Sequence, residues 1–216
     1  MVVENAVRFF QEGGPWMWPI LIIFFVGLAL VIERFFFLQS ITSKNRKAWA
    51  DLFPMLSKGQ LKQALEYSKG SDTYMGQMVG AGVTRANLSR RVEDIELAME
   101  ESLMEFMPRL EQRTPYIATL ANIATLMGLL GTIMGLIEAF SAISSADPAQ
   151  KAELLSSSIS VAMNTTAFGL IAAIPLMLAF TFLQSKTGRV VESMEMASIK
   201  FVNIYRQLTI ASEKNA

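Results

Sequence analysis

The chain is 216 residues long, 52% hydrophobic, and balanced at 19 basic and 19 acidic residues. It contains no cysteine and no histidine, which excludes disulfides, thiolate chemistry and imidazole-based metal or acid–base sites. Zero net charge removes the electrostatic case for a nucleic-acid partner. The apolar excess, with a mean hydropathy of +0.36, gathers into three blocks, which is the pattern of a membrane protein.

Residues 1–15 read as a short amphipathic lead, with Val3, Val7 and Phe10 at helical spacing, ended by Gly13-Gly14-Pro15. Residues 16–32 are then 17 uncharged positions, prolonged past Glu33-Arg34 by Phe35, Phe36, Phe37 and Leu38. A first transmembrane helix is expected over 16–38. Only Arg8 precedes it and no small-residue cleavage site follows, so it reads as a retained span rather than a signal peptide.

The region 39–113 is the sizeable polar part and is expected to be helical and cytoplasmic. Pro54, Gly59, Gly70, Gly76, Gly80 and Gly82 are expected to break its first half into short helices and turns. The stretch 61–69, LKQALEYSK, fits a helix with Leu61 and Leu65 four apart. After Ser89 the periodicity lengthens: Val92, Ile95, Met99, Leu103, Phe106 and Leu110 recur every three or four residues. Glu93, Asp94, Glu96, Glu100, Glu101 and Glu105 occupy the other sides and read as a solvated face.

A second span is expected over 114–143, where residues 114–137 are 24 uncharged positions. A periplasmic loop over 144–153 follows, then a third span over 154–185, all 32 positions uncharged. Each run reaches the roughly 20 residues that cross ~30 Å of hydrocarbon. Residues 186–216 keep a helical pattern through Val190, Val191, Met194, Ile199, Val202 and Tyr205 and are expected to form a cytoplasmic C-terminal helix. The segment 39–113 holds 11 basic residues and the tail after Ser185 holds five, against Arg8 and Lys151 on the other side. That asymmetry places the N-terminus outside and the C-terminus in the cytoplasm, with Trp16 and Trp18 anchoring at the outer interface.

The chain shows no P-loop, no metal-ligand cluster and no nucleophile paired with a base, so no catalytic residues are assigned and an enzyme is not expected. Ser156-Ser157-Ser158 reads as helix capping. What remains is a set of small and hydroxyl residues on the last two spans. Thr125, Gly128, Thr132 and Gly135 share one helix face; Ser158, Val161 or Ala162, Thr165 and Gly169 share another, with Thr166 adjacent. Counted from the outer ends near Ser144 and Leu154, Thr132 and Thr166 both lie twelve residues in, about 18 Å deep and near mid-membrane. Two hydroxyls at one level predict a polar constriction on an ion path. The alternative is that each hydroxyl bonds back to the carbonyl four residues earlier. Asn164 beside Thr165-Thr166 weighs against that alternative, since a buried amide needs partners beyond its own backbone. Neither span carries an ionisable residue at mid-depth, so a charged carrier would have to come from another protein.

Gly131 and Gly135 form a small-xxx-small pair that permits close backbone approach, either within the chain or between chains. Glu138 reads as a pore-mouth carboxylate or as one that reaches the headgroups. Pro175 falls inside the third span, where a kink, static or hinged, is expected.

Residues 128–140, GLLGTIMGLIEAF, and 159–175, ISVAMNTTAFGLIAAIP, resemble the signatures of the MotA/TolQ/ExbB family of inner-membrane ion-channel subunits, most closely its ExbB/TolQ branch. The resemblance extends over most of the chain through the three-span topology and outward N-terminus. It implies an all-α membrane protein assembled as a homopentamer around a dimer of a single-span ExbD/TolR-like partner that carries the ion-binding aspartate. Thr132 and Thr166 match the family's two pore threonines. The assembly would conduct protons or sodium ions and transmit work to a TonB- or Tol-like envelope protein, with no bound cofactor. Val161 stands where ExbB and TolQ members usually have glutamate, and the doubled Thr165-Thr166 is more like sodium-driven stators. A passive oligomeric scaffold, with threonines only joining helices, is the competing expectation.

Overall fold

The computed structural model describes residues 9–10, 13–89, 91–145 and 150–214. Most of the expected amphipathic lead, and residues 146–149 of the expected periplasmic loop, lie outside that set. Among the described residues the helices run, in chain order, α1 (Met17–Ser57), α2 (Leu61–Lys69), α3 (Tyr74–Leu88), α4 (Val92–Glu111), α5 (Thr114–Ser145) and α6 (Lys151–Lys214). Every regular element among the described residues is helical. Among the described residues three helical stretches, built on α1, α5 and α6, are long and apolar enough to cross a bilayer. The chain divides into two compact units, with α1 and α6 each contributing to both.

The first unit comprises residues up to Arg34 together with Arg113–Leu183. Its buried positions are mainly small: Ala121, Ala124, Ala139, Ala162, Ala172 and Ala173. Its large side chains face outward instead, with Phe25, Leu126, Phe140, Ile171 and Leu178 each more than half exposed. Small inside and large outside is the packing rule of helices that meet in lipid, where tight backbone approach replaces hydrophobic burial. Gly27 follows it, since a Cβ there would lie 2.8 Å from both δ-carbons of Leu176. Arg113, held at φ 67°, leads into α5 and pairs with Glu33 at 3.3 Å. That pair is half exposed and contributes about 0–1 kcal/mol.

The second unit comprises Phe35–Gln112 and Gln184–Ala216 and has an ordinary apolar core. Ile95, Met99, Leu103, Phe106 and Leu110 of α4 are all buried, with Val92 packed at the edge, so the periodic stripe is the core face. Ser89 holds the start of α4 through a bond to Asp94 and accepts the Arg91 N–H at 3.3 Å. Thr73 caps α3, its hydroxyl accepting the Gly76 N–H at 3.0 Å.

Two expectations need correction here. Gly76, Gly80 and Gly82 do not break the chain; all three lie inside α3. Gly82 is a packing glycine, because a Cβ there would stand 2.7 Å from Met99 Sδ and 3.0 Å from the Phe201 ring. Pro54 likewise sits within the last turn of α1, and the break comes at Gly59, whose φ is 71°. On α6 the buried stripe is Val190, Met194, Ala197, Phe201 and Tyr205, whereas Ile199 is half exposed. Ile199 lies two residues from both Ala197 and Phe201, which turns it off their face.

Candidate functional site: a threonine seam between α5 and α6

The seam begins with two glycines. A Cβ on Gly128 would stand 3.2 Å from the Gly169 Cα and 3.3 Å from the Thr165 carbonyl oxygen and the Thr166 Cα. These are backbone atoms that cannot swing aside, so α5 and α6 meet this closely only because both positions lack a side chain. Gly131 faces α6 as well: a Cβ there would collide with the Thr165 methyl and stand 3.2 Å from Trp16 Cβ. Gly135 meets Ala162 at 3.3 Å. Within the chain, Gly128, Gly131 and Gly135 all face α6.

The close crossing brings Thr132 and Thr166 together. Their hydroxyls are hydrogen-bonded to each other across the two helices. Thr166 Oγ1 also lies 3.0 Å from the Gly128 carbonyl, and Thr132 Oγ1 lies 3.1 Å from the Ala162 carbonyl and 3.2 Å from that of Gly128. Each hydroxyl has one proton to donate. If Thr132 donates to Thr166, Thr166 donates to Gly128; if Thr166 donates to Thr132, the Ala162 or Gly128 carbonyl takes the other proton. The pair thus has two opposite donor orders on nearly the same heavy-atom frame. Simple back-bonding of each threonine to its own helix does not describe it.

Thr165 is differently placed. It is 1% exposed, and its hydroxyl lies 2.7 Å from the Gly13 carbonyl and 3.0 Å from that of Val161. Gly14, at φ 74°, would bring a Cβ to 3.2 Å from Val161 Cγ1. The segment before α1 is thereby tied to the first quarter of α6. Aromatic contacts extend the tie, with Phe10 edge-on to Trp18 at 5.1 Å and to Phe168 at 5.7 Å.

The remaining sequence-selected residues stand apart from the hydroxyl pair. Thr125 is exposed and bonds back to the Ala121 carbonyl at 3.2 Å. Asn164 is half buried, Glu138 is exposed, and Pro175 is exposed within a helix that continues unbroken through it. Sequence reasoning missed the carbonyls of Ala162 and Gly13, which carry no side-chain signature. It also passed over Arg34 as an interruption of an apolar run, although that side chain is only 2% exposed.

Such a unit, with small residues inside, apolar bulk outside and hydroxyls at its helix crossing, defines a polytopic helical membrane protein with a polar seam in its interior. The sequence profile of the MotA/TolQ/ExbB proton channel family matches residues 71–196, more than half of the chain, and the chain belongs to that family. It is 28% identical over 209 residues to the biopolymer transport protein exbB1 of Vibrio cholerae, covering 94% of this chain and 89% of that protein. An ExbB-like biopolymer transport protein of Synechocystis sp. is 25% identical over 192 residues, 83% of this chain and 90% of its own length. The Tol-Pal system protein TolQ of Haemophilus influenzae is 34% identical over 93 residues, 43% of this chain and 40% of that protein.

Proposed function

We propose that this chain is the pore-forming subunit of an ion-motive-force-driven motor in the bacterial inner membrane, acting with a single-span ExbD/TolR-like partner. Five copies surround a partner dimer, whose aspartate supplies the carboxylate that the spans of this chain lack. Residues 16–38, 114–143 and 154–185 cross the membrane, with the N-terminus periplasmic and the segments 39–113 and 186–216 cytoplasmic. The observation that carries the reading is the Thr132–Thr166 hydroxyl pair, because it can reverse its donor order without moving either helix. A carboxylate arriving beside it would find a donor in one order and an acceptor in the other, which suits proton hand-over in an apolar passage. We favour protons over sodium, since the buried Thr165 hydroxyl is already held at the Gly13 carbonyl rather than free to complete a cage of hydroxyl oxygens. Glu138, exposed near the outer end of α5, concentrates cations at the mouth.

The test is reconstitution of the chain with its partner in liposomes and measurement of dye-reported proton uptake under an imposed potential. Uptake that needs both proteins supports the motor. A complex that forms but conducts neither protons nor sodium is the passive scaffold.

A further inference from the structure

The second unit contains a cavity of about 330 Å³ whose lining includes Asn45, Arg46 and Trp49 from α1 and Lys186 and Arg189 from α6. Three of these are cations, and none of the residues lining it is acidic. Among the described residues, neither Arg46 nor Arg189 has an ion-pair partner. The Lys186 ammonium is positioned by a 2.6 Å bond to Gln39 and by the Phe35 ring, 4.3 Å away.

Asn45 supplies an independent observation. It is 3% exposed, and its Oδ1 accepts the Met75 backbone N–H at 3.2 Å. Because a backbone N–H can only donate, the facing atom is the oxygen, and the other amide atom is the NH2 group. That Nδ2 is buried and has no hydrogen-bond partner. An unused buried donor costs about 1–3 kcal/mol, and the residue that carries it lines this cavity beside the three cations. Two guanidinium forks and an ammonium together match an oxyanion with several acceptor oxygens, above all a phosphate.

The position along the helices indicates which phosphate. Lys186 is the first charged residue after the uncharged run ending at Ser185, and Arg189 is three residues further, about 4.5 Å along the helix. On α1, Phe35, Phe36, Phe37 and Leu38 close the apolar block, and Asn45 lies seven residues on, about 10 Å. The headgroup zone adds roughly 5–8 Å to each side of the hydrocarbon, which takes in Lys186 and Arg189, with Asn45 less than a turn beyond it.

We infer that this cavity binds the phosphate of an anionic phospholipid headgroup from the cytoplasmic leaflet. The inference rests on the membrane-spanning reading of α1 and α6 but not on ion conduction, so a chain that conducts nothing could still bind lipid here.

The experiment uses the purified full-length assembly in detergent, titrated with short-chain phosphatidylglycerol, short-chain phosphatidylcholine and inorganic phosphate. Wild type is expected to bind the glycerol lipid at least tenfold more tightly than the choline lipid. The double variant Arg46→Gln/Arg189→Gln should lose that preference, while Arg85→Gln/Arg206→Gln, which removes the same charge elsewhere, should keep it. Asn45→Asp guards against misfolding, because it retains an acceptor for Met75 but puts a carboxylate where the donor stood. It should keep the assembly and its melting temperature yet lose the lipid. If inorganic phosphate alone binds and is lost in the same variants, the oxyanion site stands and its source is soluble phosphate. Binding of both probes unchanged in the double variant and in Asn45→Asp overturns the inference.

Discussion

A Cβ placed on Gly169 would stand 3.0 Å from the Gly128 Cα and 2.8 Å from the Ala124 carbonyl oxygen. The two helices therefore touch backbone to backbone at one crossing, and the hydroxyl pair depends on it. Gly169→Ala should destabilise the assembly by about 1–3 kcal/mol, the usual cost of overpacking where nothing can yield. Gly128→Ala, with its nearest contacts at 3.2–3.3 Å, should cost less. Gly188→Ala meets no atom within 4 Å and should stabilise slightly through helix propensity. Thermal melts of the purified protein rank the three; an equal effect at Gly169 and Gly188 would rule out the close crossing.

The Thr165–Gly13 bond gives a second ranking. Thr165→Val keeps the volume but leaves a buried carbonyl without its donor, which should cost about 1–3 kcal/mol. Thr125→Val removes only an exposed back-bond and should stay within about 0.5 kcal/mol. The Thr165 variant should also expose the segment before α1 to protease. Equal melting temperatures for the two variants would show that the tie to Gly13 contributes nothing.

What could be read beforehand followed from periodicity. The stripe from Val92 to Leu110 was legible because a water-facing helix must segregate its apolar side chains every three or four residues. That Thr132 and Thr166 stand level with each other was legible, since both lie the same number of residues from the ends of α5 and α6 that face each other in sequence. Which helix the glycines would meet was not, because small residues permit close approach without naming the partner. The Thr165–Gly13 bond joins residues 152 apart, and its acceptor is a backbone oxygen that any residue could offer. Gly76, Gly80 and Gly82 misled for a related reason: a glycine that makes room for Met99 or Phe201 looks the same in sequence as one that turns the chain.

The proposed orientation has a direct test, aided by a chain that has no cysteine of its own. Ala152 near the start of α6 and Ser57 at the end of α1 are both exposed. With the basic segments inside, Ala152→Cys should react with an impermeant maleimide on intact spheroplasts, and Ser57→Cys should react only after lysis. The opposite labelling would invert the topology and put the lipid cavity at the outer leaflet.

The hydroxyl pair carries the sharpest prediction, because its two members bond to each other. Thr132→Val and Thr166→Val nearly conserve volume, and the carbonyls of Gly128 and Ala162 keep their helical acceptor role. Folding and oligomer should survive, with a loss of about 1 kcal/mol or less. Ion flux should fall to background in either variant, since one valine removes both donor orders at once. For the same reason the double variant should be no worse than each single one, the signature of two groups acting as a unit. Serine at either position restores a hydroxyl and should recover much of the flux. Flux measured in proteoliposomes across this set separates the roles. If both valine variants conduct normally, the hydroxyls only hold α5 to α6, and the ion path must be sought on another face of the first unit.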